Sequence, residues 1–304
     1  MRFLKLRVHL KTTEPVQMPY YKGGVIRGGF GLAFRNVSCP FPARLCQDCL
    51  LRSQCVWSYV FDTPRPKESK ILSRSENVPH PFVIEPPDDE RTLLKKGDAL
   101  DFALILIGKS LNYLPYFIYA FEKLAEQGLG RPRTKFQLHG VYQNNRLIYD
   151  PKKSAIVQEI KPETLSLQRT DEKAKEVKVN FLTPTRIIYQ GKISRRPQFH
   201  ILTRSLLRRL WLLSYFHDQP MEIDHKNLIA QAEKVRLKDA LLAGDEWSHF
   251  SRRQQRLIQR EGVTGWLIYQ GEIAPFLPYL RAGEILHIGK GTSFGMGKIK
   301  LEVK

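Results

Sequence analysis

The chain has 304 residues, 42% of them hydrophobic and 11% aromatic, which is enough to bury two ordinary cores and excludes a disordered chain. Its 49 lysines and arginines against 30 acidic residues leave a formal net charge of +19, spread through both halves, which favours a polyanionic partner. The most apolar run, Leu100–Ile107, is far short of the ~20 residues that span a bilayer, and Met1–Leu10 alternates charged and apolar residues instead of forming a secretion signal. A cytoplasmic protein with no membrane role is expected.

In chain order, Arg2–Lys11 alternates with period two and predicts a strand. After turns at Pro15 and Pro19, residues 24–37 carry Val25, Ile26, Phe30, Ala33 and Phe34 at helical spacing. Residues 38–90, cysteine-rich and then proline-rich and polar, hold no sustained periodicity and read as an insertion. A strand is expected over Asp98–Ile107, and an amphipathic helix from Leu111 to Gly128 through Leu114, Phe117, Ile118, Phe121 and Leu124. Strands Phe136–Tyr142 and Leu147–Tyr149 close a first domain at 1–150.

Residues 151–178, rich in Lys and Glu, form a linker or extra strands. The plan then repeats over 179–304, with strand Val179–Tyr189, helix Phe199–Phe216, strands Val235–Leu242 and Gly265–Ile273, short helix Pro275–Ala282 and strand Lys298–Val303. Strand-helix-strand-strand-helix-strand read twice is an α+β fold of tandem ferredoxin-like (RRM-like) βαββαβ domains, the first carrying the cysteine-rich insertion. The free face of such a sheet is a usual place to lay single-stranded RNA.

The four cysteines, Cys39, Cys46, Cys49 and Cys55, follow the spacing C-x6-C-x2-C-x5-C. In a reducing compartment so tight a cluster reads as a four-thiolate metal site, which suits structural zinc and also an iron-sulfur cluster. Unligated buried thiols are the plain alternative.

Near the C-terminus Gly289, Gly291, Gly295 and Gly297 fall within nine residues, flanked by Lys290 and Lys298. Glycine backbone reaches positive φ and lets a phosphate approach exposed N–H groups, with the lysines neutralising it; a tight turn before an edge strand explains the same pattern. The order is neither a Walker loop nor a dinucleotide fingerprint, and no small-molecule substrate is expected.

The run Leu286–Lys298 closely resembles the signature loop of the CRISPR repeat-processing endoribonucleases of the RAMP superfamily. Phe181-Leu182-Thr183-Pro184-Thr185-Arg186 looks like the opening strand of their second domain, and Ser251-Arg252-Arg253-Gln254 with Gly262 and Gly265 like the segment entering its third strand. Residues 23–28 followed by the cysteines resemble one branch of that family. The resemblance implies binding of a CRISPR repeat transcript and a cut that needs no metal or other cofactor, leaving a 2′,3′-cyclic phosphate and a 5′-hydroxyl. It also implies RNA contacts at the four loop glycines, Lys290, Lys298, Arg252 and Arg253, and a handover of guide RNA to CRISPR effector proteins.

Such a cut needs groups that move protons and stabilise charge. Many family members place a histidine on or just after the first helix, and residues 24–37 contain none. The candidates are therefore Lys22 and Arg27 at that helix, His287 before the glycine loop and His249 beside Arg252 and Arg253; for each histidine a structural imidazole is the alternative. His9, His80, His139, His200, His217 and His225 receive no role. A non-catalytic RAMP subunit that binds guide RNA is the competing reading, and a zinc-stabilised RNA-binding regulator a more distant one.

Overall fold

The computed structural model describes residues 1–41, 44–64, 71, 77–130, 132–168, 172–251 and 256–304. They form two compact units, Arg2–Glu163 and Thr164–Lys304.

In the first unit the elements run β1 (Arg2–Thr12), α1 (Gly23–Ser38), α2 (Val56–Phe61), β2 (Phe82–Glu85), β3 (Ala99–Ile107), α3 (Leu114–Gln127), β4 (Phe136–Gln143) and β5 (Arg146–Asp150). The sheet order is β2-β3-β1-β4-β5 with antiparallel neighbours, and Ala155–Ile156 adds to β5. With β1 central and β2, β3 and β4 around it, this is the ferredoxin-like βαββαβ topology extended by a hairpin. Alternation along β1 sends Leu4, Leu6, Val8 and Leu10 to the helix side, where they meet Ile26, Phe30 and Phe34 of α1 and Phe117, Phe121 and Leu124 of α3. The ring of Phe30 lies 4.8 Å from Phe121, 5.5 Å from both Phe34 and Phe117, and 5.7 Å from Phe82.

Two of these elements fall where an insertion without sustained periodicity is expected, over residues 38–90. All four residues of β2 are buried, so the period-two signal is erased, and Pro81 and Pro86 make its surroundings read as loop. Helix α2 is too short to display a helical period, yet it carries Trp57 and Phe61, stacked at 4.1 Å, onto the core. The insertion therefore contributes a helix and an edge strand to the domain. Residues 65–70 and 72–76 lie outside the described residues.

The second unit runs β6 (Glu176–Thr185), α4 (Phe199–His217), α5 (His225–Ala232), β7 (Arg236–Ser251), β8 (Arg256–Gln270), α6 (Leu277–Leu286) and β9 (Ile299–Val303). Its sheet order, β7-β8-β6-β9, repeats the first. Strand β6 ends four residues earlier than expected, and Ile188–Tyr189 turns instead into a small hairpin with Lys192–Ile193. Strands β7 and β8 pair from Arg236 opposite Gln270 out to Ser251 opposite Arg256, far beyond the two short strands expected. Past Leu242, the exposed Ala243 and Gly244 show that the arm has left the core, so no alternation marks it. Helix α5, with Asp224 accepting from the Asn227 N–H at its N-cap, is not foreshadowed by the pattern. No described helix is long and apolar enough to cross a membrane.

Phe30 joins both helices to the sheet edge. Phe30→Ala should lower stability by about 3–5 kcal/mol, read by chemical denaturation, whereas a loss below about 1 kcal/mol would show that this aromatic cluster does not organise the domain.

Candidate active site

The glycine-rich segment links α6 to β9 and is knitted to the end of β6. The Gly297 N–H donates to the Pro184 carbonyl at 3.1 Å and the Lys290 N–H to the Arg186 carbonyl at 2.9 Å. The Thr183 hydroxyl donates to the Gly295 carbonyl at 2.8 Å and accepts from the Lys298 N–H at 2.9 Å, which gives the Thr183-Pro184 pair its place beside the loop. A β-carbon on Gly297, whose φ is +75°, would lie 1.9 Å from the Ile288 carbonyl oxygen; on Gly289, at φ +76°, it would lie 2.4 Å from that of Arg186. Both glycines are required by contact with the protein's own backbone. Gly295 and Gly297 are buried, Gly289 and Gly291 half-buried, Lys298 half-buried and Lys290 exposed. The segment thus presents Lys290 to solvent more than it presents its glycines, and the tight-turn alternative accounts for Gly289 and Gly297.

His287 closes α6 at φ +62° and is fully buried, its Nδ1–H donating to the Met296 carbonyl at 2.9 Å. The buried Arg209 of α4 donates to the Leu286 carbonyl at 2.8 and 3.0 Å and to that of His287 at 3.1 Å, satisfying the end of the helix. Burial pushes the Arg209 guanidinium down from its usual range, so these carbonyls are what support its charge there. The imidazole expected to be catalytic is thus placed inside the protein, as a bridge across the loop.

At the start of α1, the side chain of Lys22 is also fully buried. Its ammonium lies 3.0 Å from the Asp89 carboxylate and donates to the Asp89 carbonyl at 2.9 Å. Partial burial alone would raise the Asp89 carboxyl, but hydrogen bonds from Arg91 and Lys22 outweigh it and hold the group below the usual carboxylate range. Lys22, an expected catalytic residue at this helix, thus ties α1 to the segment before β3. Arg27 is half-buried, with its guanidinium 4.5 Å above the Phe61 ring and 5.4 Å from Phe82, a cation–π seat for the predicted insertion. His249 lies on β7, opposite Ile258. Arg252 and Arg253 lie outside the described residues.

The cysteines sit where helices begin and end. Cys39 follows α1, its N–H donating to Arg35; Cys46 and Cys49 bracket a single 3-10 turn; Cys55 precedes α2. All four are free and half-buried, and among the described residues no three or more His, Cys, Asp or Glu converge to hold a metal ion. Among the described residues the four thiols do not gather into the zinc or iron-sulfur site expected from the spacing, and α1 and α2 are packed on the core through Phe34, Trp57 and Phe61. The C-x2-C turn forms without the convergence a metal needs.

Polar groups gather instead on the face of the first sheet that points away from α1 and α3. His9 Nδ1 is hydrogen-bonded to the Asp101 carboxylate, the His9 and His139 rings lie 5.6 Å apart, and the Arg7 guanidinium stands 4.6 Å over Tyr142. No sequence motif marks this cluster. Its members are scattered over β1, β3 and β4, and only the register of Val8 with Phe102 and Val141 reveals it.

Residues 1–164 match the family model described as the AF_1859_N N-terminal domain, and residues 179–299 match that of CRISPR-associated endoribonuclease Cas6. An Archaeoglobus fulgidus protein, described as uncharacterized, is 26% identical over 290 residues, covering 93% of this chain and 92% of its own. A solved Cas6 (TTHB231) product complex is similar with a TM-score of 0.61 at 18% identity, over 99% of this chain and 100% of that one. Thermus thermophilus Cas6 (TTHB231) gives 0.57 at 15%, over 99% and 98%. These solved structures share the fold.

Gly297→Ala should destabilise the second unit by about 2 kcal/mol or more, because it combines a positive φ with a backbone clash. Thermal melting checks this, and an unchanged melting temperature would show that the segment does not hold the fold.

Proposed function

We propose that this chain, which belongs to the AF_1859_N family through residues 1–164 and matches the CRISPR-associated endoribonuclease Cas6 model over residues 179–299, binds CRISPR repeat RNA and cuts the precursor transcript into guide RNAs. The observation that carries this reading is the Cas6 match over residues 179–299, which takes in β6, the long β7–β8 arm and the glycine-rich segment. The net charge of +19 supports a polyanionic ligand. Fold similarity to a Cas6 product complex supports the same ligand class.

In the proposed chemistry the 2′-hydroxyl beside the scissile bond loses its proton and attacks phosphorus in line. The 5′-oxygen leaves with a proton, giving a 2′,3′-cyclic phosphate and a 5′-hydroxyl. Positioned side chains supply both proton steps and neutralise the phosphorane, so no metal takes part. Lys290, exposed on the glycine segment, and the β7–β8 arm with Arg252 and Arg253 beyond it are the proposed backbone contacts. Lys298, Gly289 and Gly291, half-buried on the same segment, are further proposed contacts. The burial of both Lys22 and His287 favours one alternative, a subunit that holds guide RNA without cutting it.

The test is incubation of the pure full-length protein with repeat RNA in excess chelator, with product ends read by mass spectrometry. The proposal expects a single cut with cyclic-phosphate and 5′-hydroxyl ends. Tight binding without a cut would establish the guide-holding alternative, and a cut appearing only with added divalent metal would overturn the metal-free mechanism.

A further inference from the structure

The open face of the first sheet carries a constellation that the sequence leaves without a role. β1 alternates, so Arg7, His9 and Lys11 point opposite to the core residues Val8 and Leu10. His9 pairs in register with Asp101 on β3 and with Gly140 on β4. The next β1 residue, Leu10, pairs with Leu138, so His139 is the extra residue of a β-bulge. Three residues apart on a regular strand, His139 and Tyr142 would face opposite sides of the sheet. The bulge brings both rings to the His9 side, at 5.6 and 6.5 Å from the His9 ring.

Within this group each side chain has a definite environment. Asp101 holds His9 through Nδ1, which leaves Nε2 as the ring nitrogen that this carboxylate does not engage. Arg7 lies 3.6 Å from the second Asp101 oxygen and is stacked on Tyr142. His139 is exposed. The slight burial it does have, then Lys11 and His9 across on β1 and Lys152 after β5, push its imidazole below the ordinary histidine range. His217 and His287 are buried, while His80, His200 and His225 pack on Phe82, Tyr189 and Trp211.

We propose that His139 and His9 are the base and acid of the RNA cut, with Asp101 as the positioning residue for His9 and with Arg7 and Lys11 neutralising the phosphorane. This rests on reading the chain as an RNA-cutting enzyme and names the groups that move the protons. His139 takes the 2′-hydroxyl proton as the 2′-oxygen bonds to phosphorus. His9 gives its proton to the 5′-oxygen as the phosphorus–5′-oxygen bond breaks. The products are the cyclic phosphate and the 5′-hydroxyl, and exchange with solvent restores both imidazoles. A neutral base, a second imidazole fixed by a carboxylate and two cations on one open sheet face are the parts this chemistry requires.

The test is single-turnover cleavage of repeat RNA by the full-length wild type and by His9→Ala, His139→Ala, His9→Gln, His139→Gln and Asp101→Asn, with RNA affinity and melting temperature measured alongside. Each histidine variant should cut at least about 100-fold more slowly, with affinity within a few-fold of wild type and an unchanged melting temperature. The glutamine variants, close in size, keep the result readable if an alanine variant folds poorly. The wild-type rate should fall on the acid side only below the ordinary histidine range, a limb absent from His139→Ala; Asp101→Asn should alter the profile while retaining part of the rate. If the wild type cuts and the histidine variants cut within a few-fold of it, the proposal is overturned and the endoribonuclease reading stands. If affinity falls in step with rate, the face is a docking surface and the acid–base roles are wrong. A wild type that binds but does not cut overturns the endoribonuclease reading itself.

Discussion

The second unit depends on how closely its backbone passes over itself. Strand β6 ends at Thr185, and within two residues of that end the chain meets the returning glycine segment at Gly295, Gly297 and Lys290. Only a residue without a β-carbon fits where Gly297 crosses Ile288. That crossing fixes where β9 enters beside β6, and Arg209 and His287 close the end of α6 beneath it. A glycine-rich loop that looks made for a phosphate is thus accounted for at Gly289 and Gly297 by packing alone.

Burial then sorts the charged residues. A cation or imidazole sealed inside the protein contributes to the fold through its hydrogen bonds and cannot reach a polymer in solution. Lys22 with Asp89, and His287 with Met296, are such cases. Arg27, laid across Phe61 and Phe82, seats the segment expected to be an insertion. What remains available on the first unit is the outer sheet face, where the constraint is the reverse: polar groups stay because solvent and one another satisfy them.

Both ferredoxin-like repeats were legible in the sequence wherever one face is buried and one is wet, as along β1, α3 and α4. Strand β2 escaped because it is buried on both faces, and the outer part of the β7–β8 arm because it departs from the core. The cysteine spacing reads as a four-thiolate metal site, yet spacing along the chain does not report where packed helices place the thiols, and among the described residues no such group converges. The site was least legible. His9, Asp101 and His139 lie 92 and 38 positions apart in succession, and only strand register and one bulge unite them.

The proposed cut begins with proton transfer from a 2′-hydroxyl and uses no bound water as the nucleophile. The most direct measurement is cleavage of repeat RNA carrying a single 2′-deoxy nucleotide on the 5′ side of the scissile bond. Binding equal to that of unmodified RNA with no cut at that bond is the predicted result. A cut there at an undiminished rate would contradict the mechanism and, with it, the roles given to His9 and His139.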